Sequence, residues 1–415
     1  MRCKTTATRR RRRQRISCAL AALISWWFAS RANADPLRLR ADAVAETQSP
    51  TGLVVLQGED RARPWVDVEG LVWAGTKPTL TGDVLVLSVR LKEPHGYGEV
   101  RAGRFVLATG AIRPVQLDGA EVVARAPWGS TVETFGGVPV VPRFGDRAYD
   151  WLAGARVAQS VASRATLGFS YLQQRTDGEL AYEELGADFA ASPAKWLDVA
   201  AKSAYDVTSP GITDALVSAA TRVGDWRFEV NAADRSPSRL SPATSLFSVL
   251  GDFASQSVGG TVRWRAAPRL DLLASGSGRD VGGELGADGW LRATLRLDDR
   301  GDGNMGLELR REDISTAQWT GVRALCAQPL GHGLRYSTEI EVVVPDHPDG
   351  RGAAWPWGLM ALSWRSTAGW EVAGGIEASS TPQHRYETDA LVRLAGTLGG
   401  GPSTSTSGTP VRGAR

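Results

Sequence analysis

The stretch Arg385–Ala395, RYETDALVRLA, decides the fold. Tyr386, Thr388, Ala390, Val392 and Leu394 fall on one side of a two-residue period, and Arg385, Glu387, Asp389 and Arg393 fall on the other. In an extended strand successive side chains point to opposite faces, so this segment reads as a strand with one apolar and one charged face.

The same period recurs along the chain. In DWRFEVNA, Trp226, Phe228 and Val230 oppose Arg227, Glu229 and Asn231. In TVRWRA, Val262 and Trp264 oppose Arg263 and Arg265. Leu291, Ala293, Leu295 and Leu297 oppose Arg292, Thr294, Arg296 and Asp298, while Tyr336, Thr338, Ile340 and Val342 oppose Arg335, Ser337, Glu339 and Glu341. In PLRLRADA, Leu37, Leu39 and Ala41 oppose Arg38, Arg40 and Asp42. Soluble sandwiches also alternate, with one face on a core and the other in water. Here the strands run to around ten residues, the length a tilted transmembrane strand needs. They follow one another too continuously for one sandwich of ordinary size. Tandem sandwiches remain the alternative.

The periodicity predicts an all-β fold, a single antiparallel transmembrane β-barrel of about 16–22 strands, with 22 the best count. An even number suits single-chain bacterial barrels. Examples of the predicted strands are 52–58, 98–108, 115–125, 180–191 and 318–328. The long connections Ser236–Ser255 and Pro345–Trp355 fall on the outer side of this scheme, and tight turns such as Gly224 on the inner side. Trp226, Trp264, Trp290, Trp364 and Trp370 lie near strand ends, where interfacial aromatic girdles sit.

Before the first strand, RRRRRQRISCALAALISWWFASRANADPL (Arg9–Leu37) places a basic cluster ahead of a short apolar run that ends at Ala32-Asn33-Ala34. The run is too short to cross a bilayer, and the order of basic, apolar and small-x-small regions predicts a secretory signal peptide over 1–34. The barrel then occupies 35–398. The Gly/Ser/Thr/Pro-rich segment 399–415 reads as a disordered tail.

The formal charge is +3. The signal segment supplies more than that excess, which leaves the remainder mildly acidic and excludes a basic nucleic-acid binder. Cys326 alone remains after processing and cannot form an internal disulfide. His95, His332, His347 and His384 are not paired at metal-ligand spacings, so no metal or cofactor is expected. In DDRGDGNMGLEL (Asp298–Leu309) the third position is Arg300 and the twelfth Leu309, so a calcium loop fails and a polar turn is expected. PDHPDGRG (Pro345–Gly352) carries Asp346, His347 and Asp349 in an outer loop. No nucleophile elbow, phosphate loop or dinucleotide fingerprint appears, and no enzyme is expected.

At Gly98–Val141 the chain resembles porin-type outer-membrane barrels through Gly103-Arg104-Phe105, Asp118-Gly119 and Arg125-Ala126-Pro127. Through ETQSPTGLVVL, SPATSLFSVLGD and VWAG it also resembles a barrel family of myxobacteria. The resemblance implies the outer membrane of a Gram-negative bacterium, with lipid, the barrel-assembly machinery and small polar solutes as partners. The porin-like function is passive diffusion. A structural or binding barrel with a loop-closed pore, and a periplasmic all-β protein, are the alternatives.

If the charged faces line a lumen, Arg263, Arg265, Arg292, Arg296, Arg38 and Arg40 form a basic wall. Glu339, Glu341, Glu371, Glu377, Glu387 and Asp389 form an acidic one opposite. The apolar loop Ser236–Ser255 is the expected constriction or an oligomer contact.

Overall fold

The computed structural model describes residues 37–398 except 47–51, 64, 77–79, 141–149, 163, 237–253, 300, 315–316, 349–352, 368 and 381–385. The expected signal peptide, the tail and the core of the Ser236–Ser255 loop lie outside these residues.

Among the described residues, 22 antiparallel strands form one sheet, running from β1 (Leu37–Glu46) to β22 (Glu387–Leu398). Every strand pairs with its neighbours in sequence, and β1 pairs with β22 from Leu39↔Leu398 to Glu46↔Leu391. The sheet is therefore closed, which leaves no unpaired edge. Strand ends differ from the sequence reading in a few places. β2 runs Gly52–Arg63, β10 Glu179–Ala194 and β18 Ala317–Gly331. The polar run Glu59–Arg63 still pairs with β3 (Val66–Thr76), because a hairpin can continue past its apolar band.

Exposure inverts the pattern of a water-soluble protein. In β19 (Leu334–Pro345), Ile340 is 56% exposed and Val342 and Val344 are exposed beside it, whereas Glu339 and Glu341 are partly buried. The same alternation holds for Leu291 and Leu295 in β16 (Glu284–Arg296), for Leu307 and Leu309 in β17 (Asn304–Ile314) and for Val392 and Leu394 in β22. Apolar side chains cover the outer surface and charged ones pair inside. Water cannot stabilise that arrangement, and hydrocarbon can.

Both ends of the described chain lie at one end of the barrel, here the terminal end. Connections there are short, as at 195–196, 224–225 and 268–269, while the longer connection 108–114 lies at the distal end. Trp65, Trp128, Trp196, Trp226, Trp364 and Trp370 are all exposed at the terminal end, and Trp226 stacks on the half-buried Trp264 at 4.8 Å between ring centroids. This is a girdle at one interface. Trp290 is not part of it. It pairs with Arg310 on the inward face, with the Arg292 guanidinium 5.0 Å from its ring. Its place follows from counting in twos from Arg292.

In the turns, Asp298 accepts from the N–H groups of Asp302 and Gly303 at 3.0 and 2.5 Å, which makes a polar turn. The N–H groups of His95 and Tyr97 hold the Glu93 carboxyl below its ordinary range. Among the described residues no cluster of three His, Cys, Asp or Glu could hold a metal ion.

Candidate functional site

Twenty-two strands about 4.8 Å apart and tilted by about 40° would enclose a circle roughly 40 Å across. Side chains cannot fill that width, yet several inward residues are fully buried. Phe105 and Leu117 are 0% exposed, and Leu107, Ile112, Val115, Phe135, Leu152, Leu172 and Tyr182 join them in one cluster. Register places Phe135 opposite Gly154, Gly154 opposite Leu172, and Leu152 opposite Gln174, all on the inward face.

The cover comes from the connection between β5 (Gly98–Leu107) and β6 (Val115–Arg125), which bends into the barrel as a shelf. Ala111 is 1% exposed and Ile112 4%. A local turn, Ile112 N–H to Thr109 O at 3.0 Å, shapes the tip, and Gly110 takes the left-handed φ of 53° that favours glycine.

The adjoining stretch of wall, the four strands that follow β6, is built to receive this shelf. The Thr109 hydroxyl donates to Glu133 Oε2 at 2.7 Å, and Gly110 lies against the Arg156–Asp188 pair, whose bonds are 3.0 and 2.6 Å. Gly186 faces Ala111, and a Cβ there would stand 2.9 Å from the Ala111 methyl and collide with Ser170 Oγ. Arg113 acts electrostatically on Glu184 and Tyr182, and the Tyr182 hydroxyl donates to Glu184. Beneath the shelf a cavity of about 420 Å³ is lined by Arg90, Arg101, Arg125, Arg156, Glu99, Glu121 and Glu133, with Val106, Leu107 and Ala108.

The charged residues singled out in the sequence mostly reach the inward face, but they do not form two opposed walls. Asp271 is approached by Arg296 at 3.2 Å, Arg263 at 3.5 Å and Arg265 at 3.9 Å. Glu308 takes Arg292 Nε at 2.6 Å, Arg310 at 3.4 Å and Arg323 at 3.9 Å. Arg310 and Arg323 continue to Glu341 at 3.0 Å and Glu339 at 2.5 Å. Acid and base interleave from β14 (Ser255–Ala267) to β19, because register sets Arg292 beside Glu308, Glu308 beside Arg323 and Arg323 beside Glu341. Opposite charges directly across an antiparallel pair attract. The lateral field expected from the sequence is replaced by a neutralised ladder.

Glu371 pairs with Arg365 at 2.6 Å, Glu377 accepts the Trp357 indole N–H at 2.6 Å, and Asp389 sits across from Glu377. Glu387 stands opposite Ser379. Arg40 is exposed, and Arg38 is placed on β1 opposite Glu59, with its side chain outside the description.

The sequence reading missed the shelf. It placed strand ends at 108 and 115 and gave the residues between no role. The available signal was the apolar pair Ala111-Ile112 inside a seven-residue loop that Gly110 could turn inward.

No protein-family profile matches this chain, and comparison with curated proteins finds no match. Among solved structures, the P pilus usher (PapC) translocation pore matches with a TM-score of 0.52 and 9% identity, over 88% of this chain and 99% of that one. The usher-containing P pilus tip assembly intermediate PapC-PapD-PapK-PapG of E. coli matches with a TM-score of 0.54 and 9% identity, over 88% of this chain and 61% of that one. Wzi, an Escherichia coli outer-membrane carbohydrate-binding barrel, reaches a TM-score of 0.44 at 12% identity over 92% and 86% of the two chains. What the usher likeness shows is the fold, that of a large outer-membrane-type β-barrel.

Proposed function

We propose that this chain is an outer-membrane barrel of a Gram-negative bacterium through which small polar solutes diffuse, with the shelf narrowing the path. The observation that carries the reading is the two-faced wall. Exposed apolar residues face outward, while inward Arg263 and Arg265 keep 52% and 58% of their side chains exposed, as a water-filled lumen requires. Lipid and the assembly machinery are its partners in this proposal, and no cofactor or catalytic step enters it. The signal peptide over 1–34 belongs to the same proposal, as does the narrower resemblance to a myxobacterial barrel family.

Conductance in planar bilayers tests the reading. An open channel passes current with modest ion selectivity that weakens as salt screens the lumenal charges. Replacing Glu339, Glu341, Glu371 and Glu377 together by glutamine is expected to move the reversal potential under a salt gradient toward anions. A conducting protein whose reversal potential does not move would take those residues off the path.

A second reading, a binding or structural barrel closed by its own loops, draws on the buried cluster between shelf and wall. Gly186→Leu separates the two, because the new side chain would press on Ala111 and lift the shelf. Conductance is expected to rise if the shelf is the constriction. A folded variant with unchanged current would place the shelf away from the path.

A further inference from the structure

The barrel wall is weakest between β4 (Leu80–Lys92) and β5. Their pairing runs only from Lys92↔Glu99 to Leu87↔Arg104, although β4 continues to Leu80 and β5 to Leu107. Beyond that rung, side chains take the place of the backbone ladder. Arg104 Nη1 donates to Val84 O at 2.9 Å, Gln116 Nε2 reaches from β6 to Leu85 O at 2.7 Å, and the Val84 N–H donates to its neighbour Asp83 Oδ1 at 2.7 Å. Arg104 is itself held by Asp118 at 2.7 and 2.9 Å and by Asp83 at 3.3 Å. Gly103, at φ 122°, lets β5 bend away from the wall there. In hydrocarbon every backbone polar group must find a partner. This clasp meets that need with side chains that can swing aside without unzipping a strand.

What lies on either side fits one kind of molecule. Leu87, at the last rung before the split, is 58% exposed on the outer face. Behind it, Val106, Leu107 and Ala108 border the 420 Å³ cavity, in which Arg90 and Arg125 share the one carboxylate of Glu99 at 3.1 and 3.7 Å, while Arg101 is held by Glu69 and Arg156 by Asp188.

We propose that the β4–β5 seam is a lateral portal for a single-chain anionic amphiphile. Its alkyl chain passes between the strands and its head group sits in the cavity behind them. The proposal rests on the membrane-barrel reading above.

The test uses the full chain in lipid vesicles with palmitate carrying a mid-chain diazirine, alongside conductance and heat-modifiable migration of the same preparation. Light-induced adducts are expected to concentrate on 80–86 and 104–107. Gln116→Leu should raise their yield by about 2- to 10-fold, the factor one lost hydrogen bond corresponds to, and Arg104→Gln, which removes several, by at least as much. Thr261→Ala, at the seam between β14 and β15 (Leu270–Val281), should leave it unchanged, and an alkylammonium of the same chain length should label the β4–β5 seam less. Adducts spread evenly over outward faces of an inserted, heat-modifiable protein would overturn the portal alone, as would a yield indifferent to both clasp variants. Equal labelling by the cationic probe would overturn the anionic head group. A protein that neither inserts nor shows heat-modifiable migration would overturn the membrane reading with it.

Discussion

Arginine at Ile340 is expected to cost about 2–4 kcal/mol of folding stability in lipid vesicles, the range for a cation at the bilayer midplane on the lipid face. Ile340 lies at the middle of β19, is 56% exposed and stands opposite Gly358, so nothing on the barrel shields a charge there. Leu295→Arg should cost about 0–1 kcal/mol instead, since Leu295 is next to last in β16 at the terminal end and its head group can reach the interface. Thr294→Arg should be mild for a different reason, because Thr294 faces inward opposite Asp271. Urea titrations of vesicle-inserted protein give the three values. Equal costs at 294 and 340 would contradict the facing of the wall.

Removing the Glu308 carboxylate is expected to be the most damaging change inside. Glu308 is 3% exposed and serves three guanidiniums at once. Taking one partner from a fully buried pair costs roughly 3–5 kcal/mol. The three arginines are 22–36% exposed, and Arg310 and Arg323 keep Glu341 and Glu339, so Glu308→Ala should cost about 2 kcal/mol after screening. Asp299→Ala should leave the same urea midpoint in place, because its pair with Arg269 sits in a turn with Asp299 86% exposed. A Glu308→Ala variant as stable as the parent would mean the ladder is solvated and contributes no stability.

The fold was legible because period-two alternation is a backbone property that repeats in every strand. Arg385–Ala395 shows it in eleven letters, and the even count followed from it. Facing was legible too, for Ile340 and Leu295 as for Glu339 and Arg292, since parity survives errors of a few residues in strand ends. Partnership was not. Whether Arg292 meets Glu308 or stands across a lumen from Glu339 depends on register between strands, which no single strand encodes. The shelf was hidden for the same reason, because its landing site of Gly186, Ser170 and the Arg156–Asp188 pair comes from three other strands. Gly103-Arg104-Phe105 and Asp118-Gly119 attracted notice as a porin-like pattern. The structure gives them particular work, in which Gly103 bends β5, Arg104 and Asp118 form the clasp, and Phe105 enters the buried cluster.

The central claim is a membrane-spanning wall with lipid on one face and water on the other. Single cysteines at Ser337, Thr338, Glu339, Ile340, Glu341, Val342 and Val343, in a Cys326→Ser background, test it in one recording. A water-soluble, membrane-impermeant thiol reagent is added while current flows through the reconstituted barrel. The account predicts that modification at 337, 339, 341 and 343 lowers the current and that 338, 340 and 342 stay unmodified. Reaction at the even positions, or reaction at the odd positions without any change in current, would contradict it.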